Sequence, residues 1–181
     1  VRSATKVTEK IISHAKNLKV IGRAGAGVDN INIASAKEKD IIVMNTPGAN
    51  TNATAEHSLS LLISVYKNIP LANSTTHEGL WEKKKFKGLE LRGKKIGIIG
   101  FGNVGMRFAE IAISLGMKVS VFSKSFESRK NKFPNINSLS FNDLVSNSDI
   151  ISLHCKPNED KKPLFTYNEF KLMKPDSVII N

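Results

Sequence analysis

The stretch at residues 94–105 constrains the fold of this chain more than any other part of it. It reads KKIGIIGFGNVG, in which an apolar, isoleucine-rich run passes directly into glycines at Gly100, Gly102 and Gly105. Residues 107–115 follow with apolar side chains at helical spacing. Strand, GxGxxG turn and helix in this order are the context that a dinucleotide-binding turn requires. The pattern therefore predicts an α/β fold with a nucleotide site at this turn.

The three glycines of this turn have different expected tasks. Gly100 permits a tight turn, Gly102 lets the backbone approach a pyrophosphate, and Gly105 lets helix and strand pack closely. The first turn of the helix presents unpaired N–H groups and a partial positive charge to the phosphates. A structural turn between strand and helix that binds no ligand is the alternative interpretation.

The end of the next predicted strand, residues 117–122, bears on the choice of cofactor. An acidic residue is expected there to hold the ribose hydroxyls of NAD. Ser123 and Lys124 follow the strand instead, and the first acidic residue is Glu127. A hydroxyl and an ammonium group would accept a 2′-phosphate, which a carboxylate would repel. The sequence predicts NADP(H) or relaxed use of NAD and NADP, with loss of one NAD contact as the alternative.

Apolar runs alternate with helix-like stretches along the rest of the chain, a pattern typical of βαβ units and parallel sheets. Pro70 is expected to end one helix, and residues 82–92 are expected to form a surface connection or a hairpin. His154, at a strand end, is interpreted as structural rather than catalytic. The further predicted strands are residues 18–21, 41–45, 150–154 and 177–180, and the further predicted helices are residues 8–16, 33–39, 54–67, 71–81 and 141–146.

The charge of the chain invites a nucleic-acid interpretation. The 181 residues carry 27 Lys and Arg against 16 Asp and Glu, a formal net charge of +11. The lysines are scattered or stand in short groups such as residues 83–87, without interleaved aromatic pairs or a nucleic-acid motif. We therefore expect no nucleic-acid partner, since a positive field also steers anionic small molecules.

Other simple features narrow the class of protein. No apolar run approaches the ~20 residues of a membrane span, so no membrane partner is expected. The single cysteine, Cys155, has no partner for an internal disulfide, which is consistent with the cytoplasm. No metal site is predicted. Because the chain opens at Val1 and stops at Asn181 directly after an apolar run, we expect it to be a fragment of a longer protein.

Six motifs in order resemble the D-isomer-specific 2-hydroxyacid dehydrogenases along essentially the whole chain. They are VRSATKVT, RAGAGVDNI, NTPGANTNATAEH, WEKKKFKGLELRGKKIGIIGFGNVG, SDIISLH and LMKPDSVIIN. VRSATKVT and WEKKKFKG are similar to the 3-phosphoglycerate dehydrogenases within that family. The resemblance implies a Rossmann-type doubly wound parallel sheet plus part of a flavodoxin-like substrate domain, and a homodimer or higher homo-oligomer. Residues 1–67 correspond to the partial substrate domain with the start of a linker helix, and residues 68–181 to the partial NAD(P)-binding domain.

The resemblance also implies roles for individual residues. A catalytic arginine, glutamate and histidine are expected beyond Asn181, so no catalytic residue is assigned here. Lys156 stands where a proline is common. The implied contacts to an anionic substrate are Arg2, Ser3, Gly25, Ala26, Gly27, Asn50 and Lys83. The implied or predicted contacts to NAD or NADP are Ala26, Gly100, Gly102, Asn103, Val104, Gly105, Ser123, Lys124 and Cys155.

Three functions follow as hypotheses. The first is oxidation of 3-phosphoglycerate in serine biosynthesis, which the substrate motifs favour. The second is a glyoxylate or hydroxypyruvate reductase that uses NADPH, for which Ser123 and Lys124 would be suitable. The third is a non-catalytic corepressor-like protein that senses a dinucleotide and binds protein partners.

Overall fold

The computed structural model describes residues 1–157 and 162–181, and its first compact unit is Val1–Thr51. Two parallel strands, β1 (Val20–Gly22) and β2 (Ile42–Met44), form its small sheet. Helices α1 (Glu9–His14) and α2 (Ile33–Glu38) are capped by Thr8 and Asn32, whose side chains accept hydrogen bonds from first-turn N–H groups. The buried core of this unit consists of Val7, Ile12, Ile21, Ile31, Ala36 and Ile41.

The second unit, Asn52–Asn181, is built on a five-stranded parallel sheet in the order β5-β4-β3-β6-β7. Strands β3 (Lys95–Ile99), β4 (Lys118–Phe122) and β6 (Ile150–Leu153) form its centre, while β5 (Asn137–Ser138) and β7 (Val178–Ile180) form its edges. In this register Ile99 lies beside Phe122 and Leu153, so the central strands end together. The helices are α3 (Thr51–Tyr66), α4 (Ile69–His77), α5 (Asn103–Ser114), α6 (Phe141–Asn147) and α7 (Tyr167–Leu172).

Both faces of this sheet are covered by helices. Ile96 and Ile98 point to one face, where they share a core with Leu62 of α3 and Phe108 of α5. Ile99 packs on the other face against Leu144 and Val145 of α6. Burial on both faces explains why β3 is an almost continuous apolar run, as expected for a central parallel strand. The predicted doubly wound Rossmann-type sheet is thus confirmed.

The division into units falls before α3, whereas the sequence suggested a boundary between residues 67 and 68. Ala55, Leu62 and Tyr66 of α3 are buried in the core of the second unit. The helix therefore belongs with the large sheet by its packing, and the two boundaries differ by about its own length. The substrate-binding and cofactor-binding roles of the two parts remain predictions.

The segment around Pro70 differs from the prediction. Helix α3 ends at Tyr66, and Asn68 adopts a left-handed conformation with φ of 52°. Pro70 then lies in the first turn of α4, where the missing N–H of proline costs no hydrogen bond. The proline thus begins a helix rather than ending one. Residues 82–92 contain no helix or strand, so they form a connection and not a hairpin.

Three short elements were not predicted, and one of them is the edge strand β5 (Asn137–Ser138). Helix α7 begins with a capping box in which Thr166 and Glu169 bond to each other's backbone N–H groups, and this T-x-x-E pattern was readable in the sequence. A short 3₁₀ helix, Glu127–Lys132, follows β4.

Asp149 ties the first residue of β3 to the turn before β7. Its carboxylate accepts hydrogen bonds from the Lys95 N–H at 2.8 Å and from the Lys174 ammonium at 2.7 Å. Desolvation raises the pKa of Asp149, but the hydrogen bonds from Lys174 and Lys95 outweigh it and lower the pKa below its usual value. Asp149 therefore has a structural role, in which it joins the start of β3 to the turn before β7.

None of the helices within residues 1–157 and 162–181 combines the length and apolar character needed to cross a bilayer.

Candidate functional site

The glycine turn lies where the central strands of the large sheet end. Gly100 has φ of 95°, a conformation that side chains disfavour. A Cβ atom at Gly100 would also lie 2.6 Å from the carbonyl carbon of His154 and 2.7 Å from the Cys155 nitrogen. Hydrogen bonds from Gly100 N–H to Phe122 and from His154 N–H to Ile99 hold the turn between β4 and β6. The chain therefore turns sharply at the carboxyl edge, where parallel sheets bind ligands.

The other two glycines of the turn differ in their surroundings. A Cβ at Gly105 would collide with the carbonyl oxygen of Gly100, so Gly105 allows α5 to approach the turn closely. A Cβ at Gly102 would meet no atom within 4 Å. Gly102 therefore leaves room beside an exposed backbone, the cradle that a pyrophosphate requires.

The first turn of α5 presents free amide groups at this cradle. Gly102 is the N-cap residue and supplies no side-chain cap. Within the described residues, the N–H groups of Asn103, Val104 and Gly105 have no hydrogen-bond acceptor, and the first helical bond is donated by Met106. Unpaired N–H groups and the helix dipole make such an end a site for phosphate. The residues predicted for the pyrophosphate are therefore brought together in a form that suits it.

The segment after β4 folds back onto this turn. The hydroxyls of Ser123 and Ser125 lie 3.0 Å apart, and the Ser125 hydroxyl donates to the Phe101 carbonyl at 3.4 Å. Arg129, on the 3₁₀ helix, donates from Nη1 to the same carbonyl. Lys124 is exposed and bonds to no described residue. Ser123 thus lies in a polar cluster beside the glycine turn, and Arg129, which sequence reasoning missed, belongs to that cluster.

His154 lies beneath the turn as a half-buried neutral group. Its Nε2 is 2.9 Å from the Ser152 hydroxyl, and its ring packs on Phe108 with centroids 5.1 Å apart. Desolvation by burial lowers its pKa from 6.5 to about 4. This geometry supports the structural interpretation of His154. Cys155 follows with an exposed side chain and its backbone against Gly100.

A separate pocket of about 590 Å³ lies within the first unit. The carbonyl groups of Gly25 and Ala26 are engaged by the Thr46 N–H and the Asn45 amide. The N–H groups of Ala26 and Gly27 have no acceptor within the described residues, so they remain available to an anion. The pocket brings together six of the residues predicted to contact substrate, namely Arg2, Ser3, Gly25, Ala26, Gly27 and Asn50.

Arg23 also lines this pocket, although the sequence did not single it out. Its Nη1 lies against Gly25, only 2.6 Å from where a Cβ would stand. Its Nε is buried and has no hydrogen-bond partner within the described chain. The pocket therefore has two guanidinium groups, from Arg2 and Arg23, and one carboxylate, from Asp29. Lys83 is exposed in the second unit and does not line this pocket, so its predicted substrate contact stays a prediction.

The part of the chain that the structure describes contains no cluster of three or more His, Cys, Asp or Glu residues that could hold a metal ion.

The different surroundings of Gly102 and Gly105 give a first prediction. Gly102→Ala should change the unfolding free energy by less than about 0.5 kcal/mol, since only a cap preference is altered. The same change should weaken NADH binding at least about tenfold, because the new methyl group occupies the cradle. Urea denaturation and fluorescence titration measure the two effects. Gly105→Ala is the matched control and should cost about 1–3 kcal/mol of stability through overpacking. Unchanged NADH affinity in Gly102→Ala would contradict the assignment.

His154 gives a prediction about pH. Its pKa is about 4 in the folded chain against 6.5 in the unfolded chain, so the unfolded state binds more protons between these values. Stability should therefore fall as pH drops from about 6.5 to 4, by up to about 3 kcal/mol from this group. Urea denaturation across this range should show a clearly smaller loss for His154→Gln. An equal loss in both proteins, or NMR titration of His154 above pH 6, would count against a half-buried neutral ring.

Comparisons with known proteins agree with this geometry. Residues 59–181 match the family described as D-isomer specific 2-hydroxyacid dehydrogenase, NAD binding domain. The D-3-phosphoglycerate dehydrogenase of Archaeoglobus fulgidus is 40% identical over 181 residues, which are 100% of this chain and 34% of that protein. The hydroxypyruvate reductase of Thermotoga maritima is 41% identical over 181 residues, 100% of this chain and 58% of that protein. The chain thus spans less than two thirds of either relative.

A solved structure shows the same fold. It is an acyclic imino acid reductase (Bsp5) in complex with NADPH and D-Arg, 36% identical to this chain with a TM-score of 0.85. The alignment covers 97% of this chain and 56% of that one. The NAD-binding domain of the matched family and the NADPH of this neighbour agree with a nicotinamide dinucleotide as the cofactor. Because the family match extends over more than half of its residues, the chain belongs to the D-isomer specific 2-hydroxyacid dehydrogenase family and carries its NAD-binding domain.

Proposed function

We propose that the protein is an oxidoreductase that transfers a hydride between a nicotinamide cofactor and a D-2-hydroxy acid, with 3-phosphoglycerate as its substrate. The observation that carries the proposal is the first-unit pocket, in which Arg2 and Arg23 stand beside the open N–H groups of Ala26 and Gly27. This donor set suits a small molecule with two anionic groups. The relative from Archaeoglobus fulgidus supports the choice of 3-phosphoglycerate.

Each group in the pocket has a distinct task in this proposal. The N–H groups of Ala26 and Gly27 hold the substrate carboxylate, as the backbone of a tight loop can. The guanidinium of Arg2 binds the phosphate in a bidentate manner, and Arg23 adds a second charge. Asn50 and Ser3 contribute neutral hydrogen bonds. Together they fix the orientation of the carbon that loses or gains the hydride.

The glycine turn of the second unit binds the cofactor in the same proposal. The N–H groups of Asn103, Val104 and Gly105 hold the pyrophosphate. The bound dinucleotide supplies the hydride chemistry, and the chain supplies its binding and orientation. Ala26 and Cys155 are proposed as further contacts to the cofactor.

A second candidate is a hydroxypyruvate or glyoxylate reductase that uses NADPH. Ser123 and Ser125 favour it, because this cluster offers hydroxyl groups where NAD would be held by a carboxylate. The hydroxypyruvate reductase of Thermotoga maritima, at 41% identity, supports the same candidate. The two candidates differ in whether the substrate carries a phosphate.

Arg2 separates these candidates. In the natural full-length protein, Arg2→Gln should lower kcat/KM for 3-phosphoglycerate at least about tenfold, because a charged bidentate contact is lost. For glycerate, which lacks the phosphate, kcat/KM should fall by less than about threefold. Steady-state kinetics with both substrates measures this.

Lys6→Gln is the matched control, since it removes the same charge from a nearby exposed side chain that does not line the pocket. Equal losses of kcat/KM for 3-phosphoglycerate in Arg2→Gln and Lys6→Gln would indicate that both charges act only by general steering of anions. A wild-type protein that reduces hydroxypyruvate with NADPH but does not act on 3-phosphoglycerate would favour the second candidate.

We also propose that the protein forms a homodimer through an apolar surface that comprises Ile69, Leu71, Leu80 and Trp81. Helix α4 buries none of its residues, and Trp81 is 82% exposed. Isolated large apolar side chains are common on surfaces, but here four exposed ones lie within 13 positions of one another in the sequence, and clustered exposed apolar side chains are of the kind that subunits cover. The family resemblance supports a second copy of the chain as the partner.

Trp81→Ser together with Leu71→Ser should raise the dimer dissociation constant at least about tenfold, since aromatic anchors dominate interface energy. Sedimentation equilibrium of the natural protein measures the constant. Tyr167→Ser is the control, because Tyr167 is 73% exposed but lies outside this surface. A wild-type protein that stays monomeric, or equal effects from the control, would refute the proposed interface.

A further inference from the structure

The polar cluster after β4 has a fixed geometry because the core holds it. Phe101 places its ring in the core, edge-on to Phe126 and to Phe133 with centroids 5.1 Å apart in both pairs. Phe126 is fully buried. These contacts bring the segment with Ser125 and Arg129 against the glycine turn, so its position does not depend on surface hydrogen bonds alone.

The carbonyl of Phe101 is the point at which this segment and the turn meet. It accepts hydrogen bonds from the Ser125 hydroxyl and from Nη1 of Arg129. A carbonyl group orients a guanidinium without neutralising its charge. The guanidinium of Arg129 bonds to no other described residue, so its remaining N–H groups stay available.

The local charges leave Arg129 without a carboxylate partner. Glu127 is the nearest acidic residue in the sequence, and it pairs with Lys130 at 3.8 Å rather than with Arg129. No carboxylate of the described chain lies within ion-pair distance of Arg129. The cluster is therefore positive. The single hydrogen of the Ser125 hydroxyl is donated to the Phe101 carbonyl, whereas the Ser123 hydroxyl can rotate away from Ser125 and donate to an anion.

The cluster stands where a Rossmann-type sheet meets the adenosine ribose, at the carboxyl end of the strand that follows the glycine turn. We propose that Arg129, oriented by the Phe101 carbonyl, is the residue that selects NADP(H) by binding its 2′-phosphate, with the Ser123 hydroxyl as an additional donor. The proposal rests on the proposed role of the glycine turn in binding the dinucleotide. It assigns the selectivity to Arg129 rather than to Lys124, because Lys124 is exposed and must lose side-chain freedom to reach the phosphate.

The test compares the binding of NADPH and NADH by nicotinamide fluorescence in the natural full-length protein. The wild type should bind NADPH at least about tenfold more tightly than NADH, the equivalent of one charged contact. Arg129→Gln should weaken NADPH binding by about the same factor and change NADH binding less than about twofold. Lys132→Gln, the matched control, removes the same charge from an exposed side chain on the same 3₁₀ helix and should change both less than about threefold. Arg129→Lys should recover part of the lost NADPH affinity, since the charge returns without the fork.

Different failures of this test have different meanings. Equal weakening of NADPH and NADH in Arg129→Gln would show a structural role at the Phe101 carbonyl and overturn the proposal. If the preference for NADPH survives in Arg129→Gln and is lost in Lys124→Gln, the selectivity belongs to Lys124 and not to Arg129. A wild type that binds NADH as tightly as NADPH would overturn the selectivity, whereas one that binds neither would refute the proposed function itself.

A second variant tests the same proposal in case Arg129→Gln folds poorly. Ser123→Asp places a carboxylate beside the ribose, so it should weaken NADPH binding and strengthen NADH binding. Adenosine 2′,5′-bisphosphate and ADP serve as probes without the nicotinamide, and the wild type should prefer the bisphosphate. Equal affinity for the two probes would contradict a 2′-phosphate site.

Discussion

The close approach between the glycine turn and its neighbours determines the arrangement of the second unit. Helix α5 lies so near β3 that a methyl group at Gly105 would overlap the carbonyl of Gly100. On the other side, the backbone of His154 and Cys155 fills the space where a side chain at Gly100 would stand. The ends of β3, β4 and β6 and the start of α5 therefore meet in a space that has room for backbone atoms but not for side chains. The free amides of α5 are exposed to ligands because nothing larger separates them from the sheet edge.

This crowding has an electrostatic consequence for His154. Because its backbone is fixed against Gly100, its ring has to enter the apolar space beside Phe108, and desolvation lowers its pKa to about 4. The ring is therefore neutral at neutral pH and adds no positive charge beneath the phosphates. The positive charge near the glycine turn comes instead from the start of helix α5 and from Arg129.

Local patterns predicted the parts of the structure that depend on neighbours in the sequence. The roles of Gly100 and Gly105 were readable because strand, turn and helix are contiguous, and Thr8 could be recognised as a cap. Pro70 was misinterpreted because proline both ends and begins helices, and only the left-handed Asn68 decides between the two. Arg129 was missed because its contact to Phe101 spans 28 positions and depends on the packing of Phe126 and Phe133. The substrate residues were assigned through the family resemblance, and their joint presence in one pocket leaves their roles as predictions.

The two sides of Phe101 connect the interior of the protein to its surface chemistry. The ring belongs to the apolar core, while the carbonyl of the same residue orients Ser125 and Arg129. Repacking of the aromatic trio would move that carbonyl even if every polar residue were retained. Under the proposed role of Arg129, cofactor preference depends on the core as well as on the surface residues, and grafting the loop after β4 onto a related scaffold would transfer its charges but not their orientation.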